Sequence, residues 1–264
     1  MRPQALSILL IALFVAGISQ AGEASEGEEQ FRRFYATAGV GFHYSTGDYG
    51  DPEKSHVYAP SLFGKLEYEP QDRHSVQLTL SVPYVVLDGD VVFGEGAGAG
   101  GADTSFRHGI GDITTTLTYA YFVPEGFALP TIIEPSIKFK IPSGSENKDI
   151  GTGHTDVTLG LELTKVFGSL SVFGSGAYRM KGGSYNDIWL ASLGTSVRLA
   201  RLVSVGLAYD FRQASTNGIG DSHEVVPMAS FRVSERMRFG PYGVIGLSTN
   251  SPDWGLGGMF TVNF

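Results

Sequence analysis

The last twelve residues, Asp253-Trp254-Gly255-Leu256-Gly257-Gly258-Met259-Phe260-Thr261-Val262-Asn263-Phe264, alternate between two faces. Trp254, Leu256, Phe260, Val262 and Phe264 share one face, and Asp253, Gly255, Gly257, Thr261 and Asn263 share the other. A period of two marks a strand whose sides meet different surroundings. The same alternation runs on from Leu202, where Val203, Val205, Leu207, Tyr209 and Phe211 oppose Ser204, Gly206, Ala208, Asp210 and Arg212. It runs on from His154, where Val157, Leu159, Leu161, Leu163 and Phe167 oppose Asp156, Thr158, Gly160, Glu162 and Thr164. Followed along the chain, it predicts twelve strands near 34–46, 57–69, 74–86, 110–123, 127–141, 153–167, 170–181, 187–199, 202–214, 222–233, 237–249 and 253–264. No stretch carries the 3.6 period of an amphipathic helix.

The connections alternate in length. Pro70-Gln71-Asp72-Arg73, Pro124-Glu125-Gly126, Gly168-Ser169, Ala200-Arg201 and Ser234-Glu235-Arg236 are tight, whereas the intervening ones are mostly longer, and 87–109 is the longest. Short turns on one rim and long loops on the other are the form of a bacterial outer-membrane barrel. Strands of about ten residues or more suit a tilted crossing of the bilayer. Lipid offers no hydrogen-bond partner, so the apolar faces point outward and the sheet closes on itself. A soluble twelve-strand sandwich would have no reason to alternate its loops. The expected fold is therefore all-β, a 12-stranded antiparallel transmembrane β-barrel of the bacterial outer membrane. Phe42, Tyr44, Tyr68, Tyr84, Tyr119, Tyr121, Trp189, Tyr209 and Trp254 fall near strand ends, where interfacial girdles lie.

Composition agrees. The 264 residues include 36 Gly, 17 Phe and 12 Tyr, and mean hydropathy is +0.02 because each strand averages an apolar and a polar face. That value excludes a bundle of apolar helices, each of which needs about 20 apolar residues. The absence of Cys excludes disulfides, thiolate metal sites, a cysteine nucleophile and a lipidated N-terminal cysteine. A net charge of -8 with no basic run argues against nucleic acid as a partner. At the N-terminus, Met1-Arg2-Pro3-Gln4, the apolar run Ala5 to Ile18 and the small-residue end Ser19-Gln20-Ala21 predict a signal peptide over 1–21, cleaved after Ala21. An acidic tail over 22–33 then leads into the barrel, 34–264.

The polar faces carry the candidate lumen lining. Lys65, Lys138, Lys140, Arg179, Arg198, Arg212, Arg232 and Arg238 are met by Glu67, Glu69, Asp112, Glu134, Asp156, Glu162, Asp210 and Glu224, eight against eight. Interleaved charges of this kind read either as a salt-bridge ladder bracing the wall or as a passage with little preference for ionic sign. Strand glycines (Gly39, Gly41, Gly160, Gly174, Gly176, Gly206, Gly255, Gly257) are expected mostly on the lumen side or at girdle height. The run Gly94-Glu95-Gly96-Ala97-Gly98-Ala99-Gly100-Gly101 lacks the Lys-Ser/Thr pair and following helix of a phosphate cradle, and reads as an external loop. His43, His108, His154 and His223 fall toward the long-loop rim near Asp112, Asp149, Asp156 and Asp221. Such a cluster is the basis of an alternative, a rim-sited hydrolase or a metal trap. A phospholipase-like Ser–His pair would need a lipid-facing His, and the best-defined strands place none there. No catalytic residue, metal ligand or cofactor is assigned.

Three short motifs carry a resemblance. Gly109-Ile110-Gly111-Asp112-Ile113, then Lys138-Phe139-Lys140-Ile141-Pro142-Ser143-Gly144-Ser145, then Gly151-Thr152-Gly153-His154-Thr155-Asp156-Val157 resemble the pattern of outer-membrane transporters named for a meta-cleavage phenol-degradation pathway. The match is best over 109–182, and Ser143 stands where many members have Thr. The resemblance implies a small barrel admitting hydrophobic or aromatic compounds, and transfers no binding residue. The expected function is passive transport of small molecules, with loop 87–109 as a gate. A plugged structural or surface-binding barrel is the other alternative. Expected partners are outer-membrane lipid and the barrel-assembly machinery, which would read the terminal Phe264.

Overall fold

The computed structural model describes residues 34–49, 54–89, 91–92, 96–97, 106–124, 132–216 and 220–264. Twelve strands cross in succession. They are β1 (Phe34–Gly47), β2 (Ser55–Tyr58 continued by Ser61–Gln71), β3 (His74–Asp88), β4 (Arg107–Ile110 continued by Ile113–Phe122), β5 (Ile132–Ile141) and β6 (Asp156–Phe167). The second half comprises β7 (Leu170–Met180), β8 (Ile188–Ala200), β9 (Val203–Arg212), β10 (Ser222–Arg232), β11 (Met237–Gly246) and β12 (Trp254–Asn263). Each pairs antiparallel with its successor, and β12 returns to β1 in register from Thr37↔Asn263 to Thr46↔Trp254. The sheet is thus a closed ring. A 3₁₀ turn at Glu146–Lys148 is the one helical element among the described residues. The expected signal peptide and its cleavage site, the acidic tail, most of the 94–101 glycine run and the start of the strand expected at 127 lie outside the described residues.

Alternation decides which way each residue faces. Leu62, Leu66, Leu78, Leu80, Leu117, Leu159, Leu161, Leu193 and Leu207 are exposed, whereas their neighbours on the other phase are buried or half-buried. Exposed leucines in a continuous belt around a closed sheet are the signature of a lipid-facing wall. Gly174 and Gly176 depart from expectation: they share a phase with the exposed Leu170 and Val172 and face outward. The inward phase of β7 belongs to Ser171, Phe173, Ser175, Ala177 and Arg179.

One irregularity matters for the site. Between Tyr84↔Ile110 and Ser81↔Thr114 the β3 strand advances three residues and β4 advances four. The extra residue is a β-bulge at Gly111-Asp112, where Gly111 N–H donates to Pro83 O (2.9 Å). The bulge turns two successive residues inward, so Ile110 and Ile113 both face lipid while Asp112 is buried inside.

Replacing the outward mid-strand Leu161 with Lys is expected to cost about 2–4 kcal/mol of folding free energy in lipid. Replacing the inward Thr164 on the same strand with Lys is expected to cost far less. Denaturant titrations in liposomes measure both, and equal losses would contradict the assignment of faces.

Candidate functional site

The interior has two unlike walls. Lys65 and Glu67 on β2, Asp112 on β4, Glu134, Lys138 and Lys140 on β5, and Asp156 and Glu162 on β6 lie on the inward phase. So do Arg179 on β7, Arg198 on β8, Asp210 and Arg212 on β9, Glu224 and Arg232 on β10, and Arg238 on β11. Glu69 continues the β2 phase at the short-turn rim, where Arg198 is exposed. The register sets several like charges directly opposite one another. Glu134 stands directly opposite Glu162, Asp210 opposite Glu224, and Arg232 opposite Arg238. Lys138 and Arg179 flank the same Thr158. Like charges placed opposite one another repel, whereas Arg179 lies near Asp156 and Arg212 near Glu224. Opposite charges do meet at Lys65–Glu67 (3.0 Å) and at Lys140, which lies 2.9 Å from Asp156 and 3.5 Å from Asp112.

Between the charges near the strand ends, the inner face from β7 to β11 carries an apolar patch. Phe173, Ala208 and Val226 form a buried cluster, and Met228 and Tyr242 pack against it, half-buried. The rings lie flat along the wall because the strand beside each supplies a glycine. A β-carbon on Gly194 would overlap the Phe173 ring, one on Gly257 the Tyr242 ring, and one on Gly39 the Phe63 ring. His43 extends this row from β1, its Nδ1 2.9 Å from the Tyr242 hydroxyl. Sequence reading assigned charges and glycines to the lumen but no aromatic residue, because aromatic residues on a polar phase look like breaks in the alternation. The signal that finds them is an inward aromatic paired in register with an inward glycine, as at Phe173↔Gly194 and Tyr242↔Gly257.

The long-loop end of the lumen is filled. Tyr49, Val57, Val85, Leu87, Ile150 and Ile188 have almost no exposed surface there. Tyr49 donates its hydroxyl to Ser45 Oγ (2.9 Å), and burial pushes that phenol up. Lys181, just past β7, lies over the Tyr185 ring at 4.3 Å, and burial, aided by Arg212, holds its amine down at about 7.

All three motif stretches converge on this end. The bulged Asp112 accepts hydrogen bonds from the backbone N–H of Gly144 (2.9 Å) and Thr152 (3.3 Å). Lys140 donates to Thr152 Oγ1 (2.5 Å) while bridging Asp112 and Asp156. Ser143 Oγ accepts from Ile113 N–H (2.8 Å) and donates to Gly111 O (2.9 Å). Gly151 must be glycine, since a β-carbon would overlap Asp112 and the Gly144 backbone. Arg107 pairs with Asp149, which takes a left-handed conformation (φ 53°), and also donates to Gly89 O. The result is a knot that fastens the 142–155 segment to the long-loop ends of β4, β5 and β6, with Asp149, Ile150, Gly151 and Thr152 all buried.

The rim histidines do not assemble. His43 faces inward to Tyr242, whereas His108 and His223 face outward, their Nδ1 atoms 2.7 Å and 2.6 Å from the hydroxyls of Tyr84 and Tyr209. His56 repeats this with Tyr44 (3.0 Å), and His74 does so with Tyr119 at the opposite rim. These four outward histidines lie on β2, β3, β4 and β10 and not on the best-defined strands, and each sits in a girdle, tied to a tyrosine on the adjoining strand. Asp112, Asp149 and Asp156 belong to the knot, and Asp221 accepts from Ala214 N–H. No group of three or more His, Asp or Glu among the described residues has the arrangement of a metal site. The expected gate, 87–109, lies largely outside the described residues; its described ends meet the knot through Gly89 and Arg107.

No family model and no curated protein sequence matches the chain. Solved structures share its fold. The COG4313 outer membrane channel from Pseudomonas putida F1 superposes with a TM-score of 0.69 at 16% identity, covering 92% of this chain and 100% of that one. The translocator domain of the autotransporter NalP from Neisseria meningitidis gives 0.57 at 9% identity, covering 97% and 94%.

Asp112→Ala removes two backbone contacts and one partner of Lys140. Hydrogen bonds to a charged group contribute about 1.5–3 kcal/mol each. The 142–155 segment is therefore expected to become sensitive to protease while the barrel keeps its heat-modifiable gel mobility. Unchanged protection of the segment would contradict the knot.

Proposed function

We propose that the chain is a bacterial outer-membrane channel that passively admits small molecules of mainly apolar or aromatic character. The observation that carries this reading is the stripe of Phe173, Ala208, Val226, Met228 and Tyr242 inside a barrel whose facing wall is charged. A structural barrel has no need of flat aromatic rings on its inner surface, whereas an apolar solute does. The charged candidates Lys65, Glu67, Glu134, Lys138 and Glu162 line the opposite side of the same path and keep it wet. Charges of both signs along one path select weakly for ionic charge.

In this reading the Asp112–Lys140–Asp156 knot is the resting stopper of the outer mouth. The filled mouth also favours a second reading, a barrel that conducts nothing, and the two differ in whether solute enters. The protein is read as a transporter and not an enzyme. Phe264, exposed at the short-turn rim with its N–H on Ala36 O (2.8 Å), is the feature that assembly machinery would recognise.

Cells carrying the barrel in their outer membrane are expected to take up a labelled monoaromatic hydrocarbon faster than cells lacking it. Met228→Asp, which sets a charge on the apolar stripe, is expected to abolish the gain. Equal uptake with and without the barrel would overturn the transport reading.

A further inference from the structure

Two cations stand in one row of the lumen wall without an ion pair. The register runs Thr116↔Lys138↔Thr158↔Arg179 across β4, β5, β6 and β7, and all four residues lie on the inward phase. Neighbouring strands are about 4.8 Å apart, so Lys138 and Arg179 flank Thr158 closely enough for their long side chains to meet over it. Lys138 is half-buried and Arg179 is 8% exposed. Among the described residues neither makes a salt bridge or a side-chain hydrogen bond. Lys138 stands near Arg179, and Arg179 near Asp156, but Asp156 is held by Lys140 (2.9 Å) and by Gly182 N–H (3.2 Å). Two cations withdrawn from water with only a threonine between them are costly to keep charged. An anion laid over Thr158 would satisfy both, and the Thr116 and Thr158 hydroxyls add donors to a row that holds no carboxylate.

From Arg179 a groove leads along β7 and β8 to the apolar patch. Ile188 pairs with Arg179, Leu190 with Ala177, Ser192 with Ser175 and Gly194 with Phe173, so the inner face between cation and ring carries mostly small side chains. Ile188 and Leu190 are buried beside the cation, and Ala208, Val226, Met228 and Tyr242 continue past the Phe173 ring. From Arg179 to Phe173 is about 20 Å of strand. Glu162 borders the groove opposite Ser175, and Asp210 borders it opposite Ser192. Those carboxylates repel an anion from the middle of the groove, so the head of an acid is directed to the Arg179 end. A benzene-sized solute spans a fraction of this length. An extended chain with one charged end matches it.

We propose that Lys138, Thr158 and Arg179 form a head-group site for the carboxylate of a long-chain amphipathic acid, whose apolar chain lies along Ala177 and Leu190 toward Phe173 and Met228. The proposal rests on the transport reading above and narrows its solute to an acid with an extended apolar body. A guanidinium offers a carboxylate two parallel N–H donors, and the lysine ammonium meets it from the other side. Weak selection among small ions agrees with this, because the chain, seated on the apolar patch, is what brings the head group to the cations.

The test uses the full barrel in lipid nanodiscs and hexadecanoate isotopically labelled at its carboxyl carbon, followed by nuclear magnetic resonance. A bound carboxyl resonance is expected that barrel-free nanodiscs lack. Lys138→Met and Arg179→Met are each expected to weaken hexadecanoate binding about tenfold or more, the loss of one charge-assisted hydrogen bond, and to leave hexadecanol binding unchanged. Lys65→Met, which removes a cation already paired with Glu67, is expected to change neither. Each methionine variant of the site also removes a like charge from the row, so its melting temperature without ligand is expected to hold or rise. A fall in melting temperature would assign the cations to the structure of the wall and overturn the site. Hexadecanol bound as tightly as hexadecanoate, or hexadecanoate bound equally by the methionine variants, overturns the head-group site and leaves the transport reading standing. A barrel that binds neither compound overturns both.

Discussion

A peptide N–H or C=O inside hydrocarbon has no water to bond, and leaving one unpaired costs several kcal/mol. The architecture follows from that constraint. Strands satisfy it only if the sheet has no edge, and β12 pairing with β1 removes the edge. Closure then forces alternate side chains to opposite media, and a lumen becomes unavoidable. Its content remained for the sequence to specify. The same constraint explains why a local departure carries meaning: the bulge in β4 persists against a cost that an ideal ladder would avoid.

The lumen joins two unlike solutions to the inward phase. On the β2–β6 side, small polar residues and charges line the interior. On the β7–β11 side, Phe173 and Tyr242 lie against glycines of the adjoining strands. At the long-loop end, the knot centred on Asp112 fastens the 142–155 segment to β4, β5 and β6. Motif residues that resemble a transporter family therefore act here by fastening a loop, and the surface that would meet solute lies below them on other strands.

Much of this was legible in the sequence. Strand number, the direction of the leucine face and the inward phase of Asp112, Asp156 and Asp210 follow from a period of two, because the period is imposed by geometry alone. Three things were hidden, each for a physical reason. The bulge at Gly111-Asp112 is a one-residue slip inside a strand that still alternates above and below it. The aromatic stripe depends on which glycine stands opposite Phe173 or Tyr242, and register between distant strands is not written in either strand. The partners of the histidines were hidden for the same reason: His108 and His223 meet Tyr84 and Tyr209 only through the neighbouring strand. Gly174 and Gly176 followed the rule that small residues line lumens, yet their phase is outward.

The central claim is that apolar solute occupies the inner face of the β7–β11 wall. Crystals of the barrel soaked with an iodinated benzene, with the iodine located by its anomalous scattering, test that most directly. The account predicts iodine inside the barrel, in contact with Phe173, Met228 or Tyr242. Iodine confined to the outer leucine belt, with none inside the barrel, would contradict it.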